Sequence, residues 1–180
     1  MKPTTNQFKI YFLWSNNALI GWDPTTTDIY LRNNYSDIKT VAEYMLQHIN
    51  YKPKTIFRGI IMKEDNIKEL LPHKNMKYLS FSEDIDIAES FANPNGFGAE
   101  FGLNYRLGNN GYIIIYQPDI KEIPFHHHFI DIFPYREFWD SIGITAREKT
   151  LEIQKEVTIL QPDIPFKLIK KHYATQKIAQ

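Results

Sequence analysis

The chain of 180 residues contains no cysteine, so it has no disulfide frame, no thiolate nucleophile and no Cys-ligated zinc. A reducing compartment fits that usage. It also lacks net charge, because 21 Lys and Arg balance 21 Asp and Glu. The balance excludes a bulk-electrostatic nucleic-acid binder and an acidic tail protein, though not a specific nucleic-acid substrate. No apolar run reaches the length of a membrane span. The stretch from Met1 to Gln7 is polar, with no apolar segment behind it, so no signal peptide is expected. The expectation is a cytoplasmic protein, or one delivered into a target cell. Internal repeats and low-complexity linkers are lacking as well. One domain over residues 1–180 is expected, with a basic tail at about 164–180 that holds Lys167, Lys170, Lys171 and Lys177 and no acid. Such a tail is a solvated end or a contact for a polyanion.

What is present is apolar and aromatic. Hydrophobic residues make up 43%, too many for disorder. With 12 Phe, 11 Tyr and 3 Trp, the core is expected to be built from rings, and stacking on a flat ligand is the sharper reading. Residues 8–14 read as a β-prone run and residues 15–28 as loop. Ser36 is placed as the cap of a helix whose apolar stripe is Ile38, Val41, Ala42, Met45, Leu46 and Ile49. Residues 55–62 read as a strand broken at Arg58-Gly59, and 64–71 as a short helix. Residues 77–81 read as a strand, with Ser82 capping a helix over 83–92. Residues 93–110 form a long glycine-bearing loop, 112–116 an apolar strand, 124–144 an irregular stretch and 151–160 a strand. The fold class is α+β: two packed, mostly antiparallel sheets flanked by short helices.

Three short motifs carry the chemistry. Ile56-Phe57-Arg58-Gly59 places an arginine inside an apolar strand. Alone, it reads as a side chain that snorkels or pairs with an acid; its functional reading is a guanidinium held toward a phosphate. Tyr78-Leu79-Ser80-Phe81-Ser82 ends a strand in Ser-x-Ser, and alternation puts both hydroxyls on one face. Leu151 to Leu160 is read with period two, which puts Glu152, Gln154 and Glu156 on one polar face.

Together, Arg, then Ser-x-Ser leading into a helix with Ala88 and Phe91, then Gln-x-Glu-Val on a late strand, resemble the Arg-Ser-Glu class of mono-ADP-ribosyltransferases, the cholera-toxin-like branch. The resemblance runs from Phe57 to Leu160. It implies an ADP-ribosyltransferase-like fold and NAD as substrate. Arg58 then corresponds to the arginine that grips an NAD phosphate, and Gly59 to the backbone that holds the nicotinamide amide. Ser80 corresponds to the serine that places NAD and the catalytic glutamate. Glu156 corresponds to that glutamate, and Gln154 to its partner two residues earlier. Phe81 stands where the family usually has threonine. Gln rather than Glu at position 154 argues against an arginine acceptor.

Phe97, Phe101, Tyr105 and Arg106 fall in the family's phosphate–nicotinamide loop and are candidate cofactor contacts. Phe138, Trp139 and Arg147 fall in its acceptor-recognition loop. His126-His127-His128 invites a metal reading, but strand neighbours point to opposite faces and no Cys or acidic cluster completes a site, so no metal is expected.

The reading is an NAD-dependent mono-ADP-ribosyltransferase of toxin or effector kind, with a non-arginine protein side chain as acceptor. ADP-ribosylation of a nucleic-acid base, in a toxin–antitoxin or phage-defence setting, is the alternative within the class. A catalytically inert NAD-fold module is the alternative outside it. An antitoxin or immunity protein is a further expected partner, and a membrane is not.

Overall fold

A computed structural model describes residues 1–15, 24–52, 54–62, 79–93, 110–129, 153–159 and 167–174. Three helices come first: α1 (Thr5–Ser15), α2 (Pro24–Asn33) and α3 (Tyr35–Leu46). Then follow β1 (Ile56–Met62), β2 (Leu79–Ser82), α4 (Ile85–Ala92), β3 (Asn110–Tyr116), β4 (Phe125–His126), β5 (Glu156–Ile159) and β6 (Lys167–Ala174). A single 3-10 turn, Ile120–Glu122, joins β3 to β4.

The run at 8–14, expected to be a strand, is helix α1. The capping signal is local: Thr4 N–H donates to Gln7 Oε1 (2.9 Å) and Gln7 N–H to Thr4 Oγ1 (3.2 Å). This reciprocal pair satisfies helix-start donors. Phe8, Tyr11, Phe12 and Trp14 are all buried. Most of that spacing is one face of a helix, and burial overrides the β-propensity of the rings. Tyr11 Oη donates to the Pro124 carbonyl (2.6 Å), which fixes α1 against the entry to β4. The stretch expected to be loop, 15–28, already contains the start of α2 at Pro24.

Helix α3 buries Ile38, Val41, Ala42 and Met45, as its stripe implied, with Leu46 and Ile49 packed alongside. Its cap is Asn34, not Ser36, and Ser36 lies inside the helix. The Asn34 side chain turns back to the Tyr30 carbonyl (2.8 Å) and joins α2 to α3 instead of capping. Phe125 and Phe129 complete the core between these helices.

The strands form one antiparallel sheet of six in the order β4-β5-β2-β1-β3-β6. Among the described residues the expected second sheet is not found. Strand β1 is unbroken at Arg58-Gly59: it pairs with β3 from Ile56↔Tyr116 to Met62↔Asn110, with Arg58↔Ile114 and Gly59↔Ile113 in register. Part of the expected basic tail is strand β6, with Tyr112↔Lys171 and Ile113↔Lys170 paired. Lys177 lies outside the described residues, as do the expected helix at 64–71, the loop at 94–109 and residues 130–152.

Alternation divides the sheet. Ile56, Ile60, Phe81, Ile114 and Val157 form a core on one face. Phe57, Ile113 and Ile115 meet Ala88 and Ala92 of α4 on the other. The helix comes close because two positions on that face are glycine. A Cβ at Gly59 would overlap the Ala88 carbonyl oxygen, and one at Gly111 the Ala92 carbonyl oxygen. Backbone atoms have no rotamer with which to give way, so α4 would have to lift. Gly59→Ala and Gly111→Ala are each expected to destabilise the protein by about 1–3 kcal/mol, the scale of overpacking. Urea unfolding measures this, and an unchanged midpoint in either variant would refute the close approach.

Candidate active site

Three adjacent strands supply the three residues singled out from the sequence: β1 carries Arg58, β2 carries Ser80 and β5 carries Glu156. Ser82 stands directly opposite Glu156, and Ser80 opposite Thr158. Ser80 is therefore the diagonal neighbour of Glu156 on one face, within reach of a long side chain. Ser80 Oγ donates to Glu156 Oε1 at 2.7 Å. Glu156 is buried, at 8% exposure. A buried carboxylate requires such donors.

Arg58 joins this pair from another direction. Phe57 is registered with Ser82, so Arg58 alternates to the opposite face, with Ile56 and Ile60. Strands β1 and β2 are bridged at that one pair. Beyond it the Ser80 carbonyl accepts from Arg58 Nη1 at 2.6 Å. The guanidinium thus spans the gap and leads back, through Ser80, to Glu156.

The approach to β5 differs from the expected continuous strand. Residues 153–155 form a helical turn, and Lys155 has φ of 47°. Gln154 is therefore half-buried in a turn and does not share a strand face with Glu156. Period two fails because a left-handed residue separates them. Glu152 lies outside the described residues. Val157 and Ile159 enter the core, and Glu156 and Thr158 are buried too, so β5 is covered on both faces. Gly59 has a packing role against α4 that the sequence reading did not foresee.

Helix α4 starts at Ile85 with Asp84 as its cap, whose side chain accepts from Asp86 N–H (3.0 Å). Ser82, expected in that role, instead donates to the Gln154 carbonyl (2.7 Å) and accepts from Asp84 N–H (3.0 Å). Glu83, expected in the first helical turn, precedes the helix. Its carboxylate turns to Tyr51, whose hydroxyl donates at 2.9 Å, and to His127 Nε2 at 3.2 Å. His126 Nε2 is 3.3 Å away, off the line of a good hydrogen bond. The partners lie 32 and 44 residues from Glu83, and short motifs carry no signal for them.

The three histidines also differ from expectation. They converge, with one ligand-type atom of each within 4.8 Å of the others. Strand β4 ends at His126, so the alternation that would separate neighbours stops there. His126 Nδ1 accepts from the His128 N–H at 3.2 Å, which assigns the ring proton to Nε2, on the Glu83 side. The cluster's ring nitrogens thus meet an amide and a carboxylate of the same chain.

Electrostatics follow this geometry. Burial acts to raise the Glu83 carboxyl, but the His126 imidazole close beside it and the hydrogen bonds from His127 and Tyr51 outweigh it and hold the group well below its ordinary 4.5. Burial, with the Glu83 charge beside it, pushes the Tyr51 phenol well above 10.0. Burial also lowers His126 below its ordinary 6.5, against the pull of Glu83.

Candidate loop contacts Phe97, Phe101, Tyr105 and Arg106, and candidate acceptor contacts Phe138, Trp139 and Arg147, lie outside the described residues. No helix among the described residues is long and apolar enough to cross a membrane. Compared with protein-family models, with curated proteins and with solved structures, the chain matches none.

Two of the shifted groups in the Glu83 cluster, His126 and Glu83, act in one direction on stability in the acid range. The unfolded chain binds the extra proton at His126 below 6.5 and at Glu83 below 4.5. Stability is therefore expected to fall as pH falls, first gently and then more steeply below 4.5. Melting temperatures between about pH 8 and about pH 3.5 read this out, and Glu83→Gln is expected to flatten the acid limb. A profile equally steep in that variant would place the titration elsewhere.

Proposed function

We propose that the chain is an NAD-dependent mono-ADP-ribosyltransferase acting on a macromolecule, of toxin or effector kind, with a non-arginine protein side chain as acceptor. One observation carries the reading: hydrogen bonds run from Arg58 through Ser80 to Glu156 across β1, β2 and β5. These are the residue types that the Arg-Ser-Glu resemblance requires, one on each of three neighbouring strands. A two-sheet, ADP-ribosyltransferase-like arrangement belongs to the same proposal.

The residues suit the chemistry. In the reaction the nicotinamide–ribose bond breaks and its electron pair leaves with nicotinamide, which departs neutral. The ribose C1′ becomes oxocarbenium-like, an acceptor nucleophile bonds to it, and the acceptor releases a proton. Glu156 is suited to accept a hydrogen bond from the ribose 2′-hydroxyl and to stabilise the developing cation. Ser80 holds Oε1, so the carboxylate is oriented before substrate arrives. In this reading the Arg58 guanidinium, whose side chain leaves the opposite face of β1 and donates to the Ser80 backbone carbonyl, supplies a planar group for the pyrophosphate. Gln154, in the turn that leads into Glu156, is assigned to the acceptor in this reading.

Glu156→Ala is expected to lower NAD consumption about a hundredfold or more, the cost of losing one transition-state charge stabiliser. Arg58→Lys is expected to weaken NAD binding by calorimetry, because a point charge replaces a fork. Unchanged turnover in folded Glu156→Ala, or wild-type affinity in Arg58→Lys, would remove that residue from the site.

Incubating cell lysate with NAD labelled in its adenylate tests the whole reading. Label that disappears with protease supports a protein acceptor. Label that survives protease but not nuclease would move the acceptor to a nucleic-acid base within the same class. A wild-type protein that consumes no NAD would overturn the class.

A further inference from the structure

Three consecutive carbonyls lead into and include the candidate catalytic glutamate, and each has a donor. The Gln154 carbonyl accepts from Ser82 Oγ (2.7 Å). The Lys155 carbonyl accepts from Glu83 N–H (3.1 Å), and the Glu156 carbonyl from His127 N–H (2.9 Å). The first two donors sit at the end of β2, and the third sits in the turn after β4. Between the carbonyls of Gln154 and Glu156, Lys155 takes a left-handed conformation, with φ of 47°. A non-glycine residue persists there only when its surroundings over-determine it. Lys155 Nζ adds a bond to Asp84 Oδ2 at 2.7 Å.

The two donor segments are tied together by one side chain. Glu83, whose own amide holds the Lys155 carbonyl, accepts from His127 Nε2, and the His127 amide holds the Glu156 carbonyl. Tyr51 Oη, from before β1, donates to the other carboxylate oxygen and fixes its plane. The Glu83 side chain is nearly as buried as that of His127, both at 8% exposure, so water does not readily substitute for it.

We propose that Glu83 is the positioning residue for Glu156: its side chain couples the β2 and β4 ends into one clamp on the backbone of residues 154–156. The assignment rests on reading Glu156 as the ribose-facing carboxylate. The clamp sets where that carboxylate stands relative to C1′. Arg58, on β1, is outside it, so NAD affinity and chemistry separate. Glutamine in place of Glu83 keeps the shape but has one acceptor oxygen where the carboxylate has two, so Tyr51 Oη and His127 Nε2 can no longer each donate to an oxygen of their own.

The test measures NAD hydrolysis and backbone amide exchange together on the full chain. In Glu83→Gln, kcat is expected to fall about tenfold to a hundredfold, the scale of a misplaced reacting group, with KM for NAD within about twofold. Glu83→Asp, which keeps both acceptors on a shorter arm, is expected to recover part of the loss. Tyr51→Phe is expected to give a smaller fall in kcat of the same kind, and it serves as the decisive variant should Glu83→Gln fail to fold. Unchanged kcat in folded Glu83→Gln would overturn the proposal. So would a parallel loss of NAD affinity and kcat, the mark of general damage. Amide exchange is independent of activity: the clamp requires faster exchange at the amides of His127 and residue 83 in Glu83→Gln, and unchanged protection there refutes it. A wild type that binds and consumes no NAD refutes the functional reading, while the exchange result still decides the clamp.

Discussion

Glu156 is buried in the sheet at 8% exposure, and the structure around it follows from that constraint. Burying an unpaired carboxylate costs far more than a single contact returns, so hydrogen-bond donors must meet it. Ser80 meets Oε1 directly, which requires β2 and β5 to hold one antiparallel register. That register puts Ser82 opposite Glu156 and leaves Ser80 on the diagonal. A shift of one residue would send Ser80 to the other face and leave the carboxylate without this donor.

Neighbouring elements are placed to maintain that register. Helix α4 lies on the sheet at a distance that only glycine at 59 and 111 permits. Its start follows β2 by two residues, so its seating also sets the direction in which Ser82, Glu83 and Asp84 leave the strand. Ser82 then reaches the Gln154 carbonyl, and Asp84 reaches Lys155. On the far side of β5, the short β4 is anchored by Tyr11 through the Pro124 carbonyl. The amino-terminal helices thus bear on the site through the strand they support, although they contribute no residue to the run from Arg58 to Glu156.

Local sequence made some of this legible and some not. The stripe of α3 was readable because Ile38, Val41, Ala42 and Met45 repeat with the helix period. The apolar run of β3 was readable as a strand. In α1 the rings have β-propensity, while the Thr4-x-x-Gln7 capping box and the burial spacing specify a helix. The capping signal was present in the sequence, and a reading by propensity passed over it. At residues 154–156 the period-two pattern fails, because one left-handed residue, Lys155, resets the phase and no residue type there announces it. For the three histidines, strand alternation does not separate the side chains, because β4 ends at His126.

From the sequence alone come the residue types and their order: an arginine in an apolar strand, two serines spaced for one face, and a glutamate on a late strand. These are local facts, set by alternation and by the chemistry of each side chain. Which strands become neighbours depends on long-range pairing, and so tertiary structure alone decided that β5, β2 and β1 lie side by side. The same holds for Glu83. In the sequence it is one of several acids near a helix start. Only the approach of Tyr51 and His127, 32 and 44 residues away, makes it a buried acceptor, because hydrogen bonds between distant segments form only after the chain has brought them together.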